Sequence, residues 1–206
     1  MNREMRKQLT GKYFGSTAKY YDNSRDGMFV RCMYREILDR TASMDFKRVL
    51  DLGCGNGNVI ALLQDRKEAE YYGLDLSAEM IEEAEKRLGR QVSLCVGDAE
   101  NLPYEDGFFD VIICNASFHH YPNHQKAVQE MKRVLKRNGT IILGDPAVKP
   151  RLLSWIVNWY LRHCSSGDVK IWSRKEITAL FRKNGFQVEN WRYINHRTFM
   201  MDAVLK

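Results

Sequence analysis

The sequence predicts an α/β fold, a doubly wound, mostly parallel sheet with helices on both faces. Three observations predict it. Short apolar runs of strand length alternate with stretches whose apolar residues recur at helix spacing. The runs are almost continuously apolar, as strands covered on both faces must be. A glycine cluster, Gly53-Cys-Gly-Asn-Gly57, separates the first run from the next helix, which is where sheets of this kind bind ligands.

The elements follow in order. Met28 to Arg40 carries Val30, Met33, Tyr34, Ile37 and Leu38 at helix spacing. Arg48 to Leu52 is a buried strand, followed by a helix from about Gly57 to Asp65 and a strand at Tyr71 to Leu74. Ser77 can cap a helix whose apolar face is Met80, Ile81, Ala84 and Leu88, and Gly89 ends it. Val92 to Val96 and Phe109 to Cys114 are strands. Ala127, Val128, Met131, Val134 and Leu135 mark a further helix, and Asn138-Gly139 turns the chain into a fifth strand, Thr140 to Leu143. Pro146 and Pro150 bracket a connection to an aromatic-rich helical stretch, Leu152 to Cys164. Ser173 and Glu176 form a capping box ahead of Ile177, Leu180 and Phe181, and Asn184-Gly185 closes that helix. Phe186 to Tyr193 and Thr198 to Leu205 are the last strands, and their polar residues place them near the sheet edge.

The chain has 206 residues, 44% hydrophobic and 28% charged, enough for one well-cored domain. We divide 1–206 into an N-terminal cover (1–45), a ligand-binding core (46–145) and substrate-side helices with the last two strands (146–206). The net charge is +6 and the isoelectric point about 9.0, but Lys and Arg are scattered among Glu and Asp, so a solvated surface explains them. Cys32, Cys54, Cys95, Cys114 and Cys164 show no zinc-ligand or CxxC spacing. No metal site is expected, and Cys95 and Cys114 read as small buried hydrophobes. Met1 to Thr10 lacks an apolar stretch of signal length, and the ten apolar-rich residues Leu152 to Leu161 are too few to span a bilayer. The expected location is cytoplasmic.

The glycine spacing departs from the dinucleotide fingerprint GxGxxG, because the sixth position is Asn58. Asp51 stands two residues before the first glycine. A carboxylate there repels a pyrophosphate and attracts an ammonium group. S-adenosylmethionine carries an ammonium, a sulfonium and a carboxylate, and no phosphate, so the charge favours it over NAD. Asp75, ending the second strand, suits ribose hydroxyls with either ligand; its plainer reading is a turn residue. Asp98 suits the exocyclic amine of adenine, and Leu76 and Ala99 suit the purine faces, although loop and core roles account for these types equally.

On these stretches the chain resembles the class I S-adenosylmethionine-dependent methyltransferases. It is most similar to the small-molecule branch that includes the ubiquinone/menaquinone-biosynthesis methyltransferases. The matching segments are VLDLGCGNG (49–57), YYGLDLS (71–77), GDAENLPYEDGFFDVIICNASFHH (97–120) and LKRNGTIILGDP (135–146), roughly half of the chain. The resemblance implies a Rossmann-like sheet of about seven strands, the last antiparallel, beneath an N-terminal helical cover. It implies Asp51, Gly53 and Gly55 at the methionine portion, Asp75 at the ribose with Leu76 against adenine, and Asp98 and Ala99 at the adenine edge. It places Asn115 beside the transferring methyl. The stretch from Tyr13-Phe14 to Tyr20-Tyr21-Asp22-Asn23-Ser24-Arg25 resembles the segment that folds over the cofactor, which makes Tyr21 and Arg25 candidates for contact, or parts of an amphipathic cover.

Methyl transfer is an in-line displacement, and proximity supplies much of the catalysis. A base is needed only where the acceptor must lose a proton. His119 and His120, with Tyr121 next to them, follow the fourth strand, and either histidine is a candidate base or a pocket-lining residue. Asn115-Ala-Ser-Phe118 lacks the proline pair of base-directed amino methyltransferases, and Cys114 lacks the proline that precedes the cytosine-attacking cysteine. A small-molecule acceptor is therefore expected and nucleic acid is not. The aromatic Trp155, Trp159, Tyr160 and Trp172, flanked by Lys149, Arg151, Arg162 and Lys170, read first as packing, then as a lid, a homodimer contact or a membrane-facing surface. The alternatives are an NAD(P)-dependent oxidoreductase and a non-catalytic module that binds the cofactor or RNA.

Overall fold

The computed structural model describes residues 2–148, 158 and 167–206. A seven-stranded sheet runs in the order β3-β2-β1-β4-β5-β7-β6. Its strands are β1 (Arg48–Leu52), β2 (Glu70–Asp75), β3 (Ser93–Val96), β4 (Phe109–Asn115), β5 (Leu135–Pro146), β6 (Phe186–Tyr193) and β7 (Thr198–Leu205). The first five are parallel, and β7 lies antiparallel to both β5 and β6. The helices are α1 (Arg3–Thr17), α2 (Arg25–Ala42), α3 (Asn58–Gln64), α4 (Ala78–Leu88), α5 (His124–Val134) and α6 (Arg174–Lys183).

Alternate residues of each central strand enter different cores. Leu50, Leu52, Ile112, Cys114, Ile141 and Leu143 join a cluster with Val128 and Met131 of α5 and Ile177 and Phe181 of α6. Val49, Val111, Ile113 and Ile142 join one with Met33 and Ile37 of α2, Ile60 and Leu63 of α3 and Ala84 of α4. The period-two alternation thus puts helices on both faces and explains why the central strands are largely apolar.

The expected caps form. Ser77 Oγ accepts the Met80 N–H, and Ser173 and Glu176 make a complete capping box. Gly89 and Gly185 end their helices at φ 71° and 91°.

Four local expectations change. Asn138-Gly139 does not open a separate strand. β5 already begins at Leu135, and the register slips opposite Asp110, so residues 136–139 bulge out of the ladder with Asn138 at φ 64°. Leu135 is therefore strand, not the last turn of α5. β6 is the edge strand, as its polar residues suggested, but β7 lies inside it and is buried almost throughout. Asp202 of β7 is buried yet paired with Arg40 of α2 at 2.6 Å and with Asn190 at 2.7 Å, so its polarity marks a satisfied interior pair. Cys114 is buried as expected, whereas Cys95, on edge strand β3, is only partly so. Apart from Asn158, the expected helix Leu152–Cys164, with Trp155, Trp159, Tyr160 and the flanking Lys149, Arg151 and Arg162, lies outside the described residues. Trp172 packs against His124 and Phe118, at ring separations of 4.8 and 6.1 Å. No described helix is long and apolar enough to cross a membrane.

Candidate active site

Parallel strands deliver their carboxyl ends, and the loops after them, to one rim of the sheet. At that rim Gly53 N and Cys54 N both donate to Leu74 O, at 2.7 and 3.1 Å, folding the glycine loop against the end of β2. Gly53, Gly55 and Gly57 hold φ of 77°, 53° and 80°, left-handed values that favour glycine. Gly53 is also closely packed, because a Cβ there would lie 2.4 Å from Ser117 Cβ.

The loop is clamped by Asp75, whose Oδ2 accepts Gly55 N at 2.8 Å while Oδ1 accepts Ser77 N at 2.9 Å. Asp51 is 2% exposed, and neither of its carboxylate oxygens has a hydrogen-bond partner. Burial, reinforced by the charge of Asp75, pushes its pKa up to about 8. An unpartnered buried carboxylate costs free energy that an incoming cation recovers.

A first cleft opens over this rim. Gly53, Gly55, Asp75, Leu76, Asp98, Ala99, Asn115 and Tyr21 all line it. Asp51 lies next to it, in a small recess beneath Gly53, Gly55 and Asn115. Arg25 does not line the first cleft. It lines a second one, with Tyr13, Asp26, Asp168 and Arg197. Phe14, Tyr21, Ala116 and His120 line both.

Ala116 shapes this shared wall. Its φ of 52° is uncommon for a residue with a side chain. It turns the chain out of β4, so that the short 3-10 turn Phe118–His120 brings both histidines to the rim. His119 Nδ1 lies 2.8 Å from Asp145 Oδ1, at the end of β5. Burial alone would lower the His119 pKa, but Asp145 raises it on balance. Burial, and then the neighbouring His119, hold the His120 pKa well below its ordinary value, so that ring is neutral at pH 7.

Two residues of the N-terminal segment emerge only from the structure. Lys7 Nζ reaches Asp98 Oδ2 at 2.6 Å and Glu100 Oε2 at 2.8 Å. Asp22 Oδ1 accepts from Asn56 and Asn58, at 2.9 and 2.7 Å, and its Oδ2 meets Arg87 at 2.7 Å. Despite burial, these bonds bring the Asp22 carboxyl down to about 2. Asp22 sits within the aromatic stretch at the N-terminus, so the sequence held a hint of it. Lys7 had no local signal, because its partners are more than ninety residues away.

Residues 50–143 match a family model described as a methyltransferase domain. This segment is a methyltransferase domain, a little under half of the chain, and the proteins the chain is similar to include S-adenosylmethionine-dependent methyltransferases. It is 29% identical to a demethylmenaquinone methyltransferase from Thermotoga maritima over 175 residues, 75% of this chain and 76% of that one. It is 36% identical to the uncharacterized methyltransferase YcgJ of Bacillus subtilis over 142 residues, which span 66% of this chain and little more than half, 56%, of the relative. Among solved structures, the putative methyltransferase in complex with the Haloferax volcanii Trm112 activator superimposes with a TM-score of 0.80 at 22% identity, covering 95% and 96% of the two chains. The Burkholderia thailandensis 1,6-didemethyltoxoflavin-N1-methyltransferase, solved with S-adenosylhomocysteine, gives 0.75 at 16% identity, covering 100% and 91%. The two structural likenesses establish the fold. This methyltransferase uses S-adenosylmethionine, and its rim fits that cofactor: the unpartnered Asp51 suits the ammonium, and the glycine loop leaves space beside it.

Proposed function

We propose that this methyltransferase methylates a small molecule held in the second cleft. The observation that carries the reading is the shared wall, in which Phe14, Tyr21, Ala116 and His120 face both spaces. A donor in one cleft and an acceptor in the other would meet there.

In this reading Asp51 and the Gly53–Gly55 backbone hold the methionine portion, Asp75 the ribose, and Asp98 the adenine amine between Leu76 and Ala99. Asn115 and Tyr21 flank the reacting end. Arg25 and Arg197 line the acceptor cleft together with Asp26 and Asp168, so it presents charges of both signs to an acceptor. The cofactor supplies an activated methyl and a neutral leaving group. The protein's own work is alignment, exclusion of water and, for an acceptor that carries a proton on its attacking atom, proton removal by the neutral imidazole of His120. His119, fixed by Asp145, positions the neighbouring ring, with centroids 3.9 Å apart.

The test is calorimetry with S-adenosylhomocysteine, followed by mass spectrometry of a panel of phenolic, enolic and amine acceptors with and without a carboxylate. Saturable binding and a product heavier by one methylene support the reading. Absence of heat overturns the site assignment. Binding without turnover across the panel favours the non-catalytic alternative, and a thermal shift with NAD alone favours the oxidoreductase.

A further inference from the structure

The wall of the second cleft gathers three metal-ligating atoms. His119 Nε2 and His120 Nδ1 lie 3.4 and 3.1 Å from the same oxygen, Asp168 Oδ1. The three atoms are all within 4.8 Å of one another. Metal–ligand bonds of about 2.0–2.1 Å at angles of 90–109° set neighbouring ligand atoms about 2.9–3.4 Å apart, which is the spacing of both histidine nitrogens from the carboxylate.

Two further features favour a cation. The first lies behind His119. Its Nδ1 is engaged by Asp145 at 2.8 Å, and an imidazole that donates from Nδ1 presents the Nε2 lone pair on its other side. Carboxylate, histidine and metal are commonly arranged this way. The second is His120 Nδ1. The residue is 9% exposed, and this nitrogen makes no hydrogen bond although it lies 3.1 Å from Asp168 Oδ1. A buried imidazole nitrogen left unsatisfied beside a carboxylate is a position that a cation would fill.

The ligands also come from segments tied together. Val169 N and Lys170 N both donate to His119 O, at 2.9 and 3.3 Å, so the chain carrying Asp168 is docked on the turn carrying the histidines. All three side chains line the second cleft.

We infer that His119, His120 and Asp168 form a binding site for a divalent transition-metal ion of the zinc class, with Asp145 as the positioning residue behind His119. Two imidazoles select such ions over magnesium or calcium, which prefer oxygen ligands. The site departs from the expectation of no metal because that expectation rested on cysteine spacing, whereas here adjacent histidines meet an aspartate from a segment that follows β5 in the chain. It stands independently of the acceptor. An ion held there takes the nitrogens that would otherwise accept a proton, so the two uses of the pair exclude each other.

The experiment titrates cobalt(II), and then zinc(II), into the full chain freed of metal with a chelator. One equivalent should bind with visible cobalt bands that zinc abolishes. His120→Gln and Asp168→Asn should each weaken binding at least tenfold, and Asp145→Asn about tenfold. Imidazole nitrogen NMR of the unmodified chain keeps the test independent of variant folding: zinc should shift His119 Nε2 and His120 Nδ1. Non-saturable binding, shifts confined to His124 or His196, or unchanged affinity in folded variants would overturn the site.

Discussion

Asp51 is the last residue but one of β1 and Asp75 the last of the neighbouring parallel strand β2, yet only the Asp75 side chain is hydrogen-bonded. Asp75 spends its charge on the Gly55 and Ser77 amides, while Asp51 is buried without partners and its pKa rises to about 8. At pH 7 Asp51 is therefore mostly protonated in the free protein. A bound ammonium group favours the carboxylate, so we predict that S-adenosylmethionine binding at pH 7 releases between about 0.5 and 1 proton. Calorimetry in buffers of different ionisation enthalpy measures it. Asp51→Asn should abolish the release, and equal release in both proteins would refute the assignment.

The same group sets a slope of stability with pH. Between the unfolded carboxyl value of 3.8 and about 8, the unfolded chain gives up a proton that the folded one keeps. Stability contributed by Asp51 therefore falls as pH rises through that window and is level above it. Urea unfolding at pH 5, 6.5 and 8 should show the wild type losing up to about 1 kcal/mol per pH unit more than Asp51→Asn. Parallel curves would contradict this.

Asp75 clamps the glycine loop as well as facing the cleft. Asp75→Ala leaves the Gly55 and Ser77 amides without their acceptor, so S-adenosylhomocysteine affinity should fall by about 10- to 100-fold, read by calorimetry. Affinity within threefold of wild type would remove Asp75 from the site.

Gly53 and Gly89 separate two costs. Both hold a left-handed φ, but a Cβ at Gly89 meets nothing within 4 Å, whereas one at Gly53 collides with Ser117. Gly89→Ala should cost about 1–3 kcal/mol in urea unfolding from backbone strain alone, because φ 71° with ψ −168° is a conformation essentially confined to glycine. Gly53→Ala should cost more and should also weaken cofactor binding at least tenfold. Equal penalties would show that the Ser117 contact relaxes freely.

Lys7 ties α1 to the rim of the first cleft through Asp98 and Glu100, and the Glu100 side chain is only 7% exposed. Lys7→Met leaves that carboxylate without its cation, although Glu100 still accepts Asn123 N at 2.6 Å. A loss of about 1–2 kcal/mol in urea unfolding is expected, with cleavage by trypsin within α1 becoming faster. Unchanged stability and proteolysis would mean that α1 is held by its other contacts.

The sheet was legible because its strands are buried on both faces, which writes near-continuous apolar runs into the sequence, and because caps such as Ser77 and Ser173 act over three residues. Gly53, Gly55, Asp75 and Asp98 were legible for a related reason: each ends a strand or follows one within three residues, so a local pattern fixes its place at the rim. The bulge at 136–139 was misread as a turn because Asn-Gly favours left-handed backbone in either setting. The depth of β7 was missed because Asp202 reveals its partner, Arg40, only across 162 residues.

The sequence by itself determined the alternation of strands and helices, the glycine loop and the charge at Asp51, all of which depend on neighbours a few residues apart. Only the tertiary structure decided that Asp51 is unpartnered while Asp75 is clamped, that Lys7 and Asp22 pin the N-terminal segment to the rim, and that Asp145 and Asp168 converge on the histidine pair. Those outcomes depend on electrostatics and hydrogen bonding between segments distant in the chain, and such contacts leave no periodicity for a sequence to display.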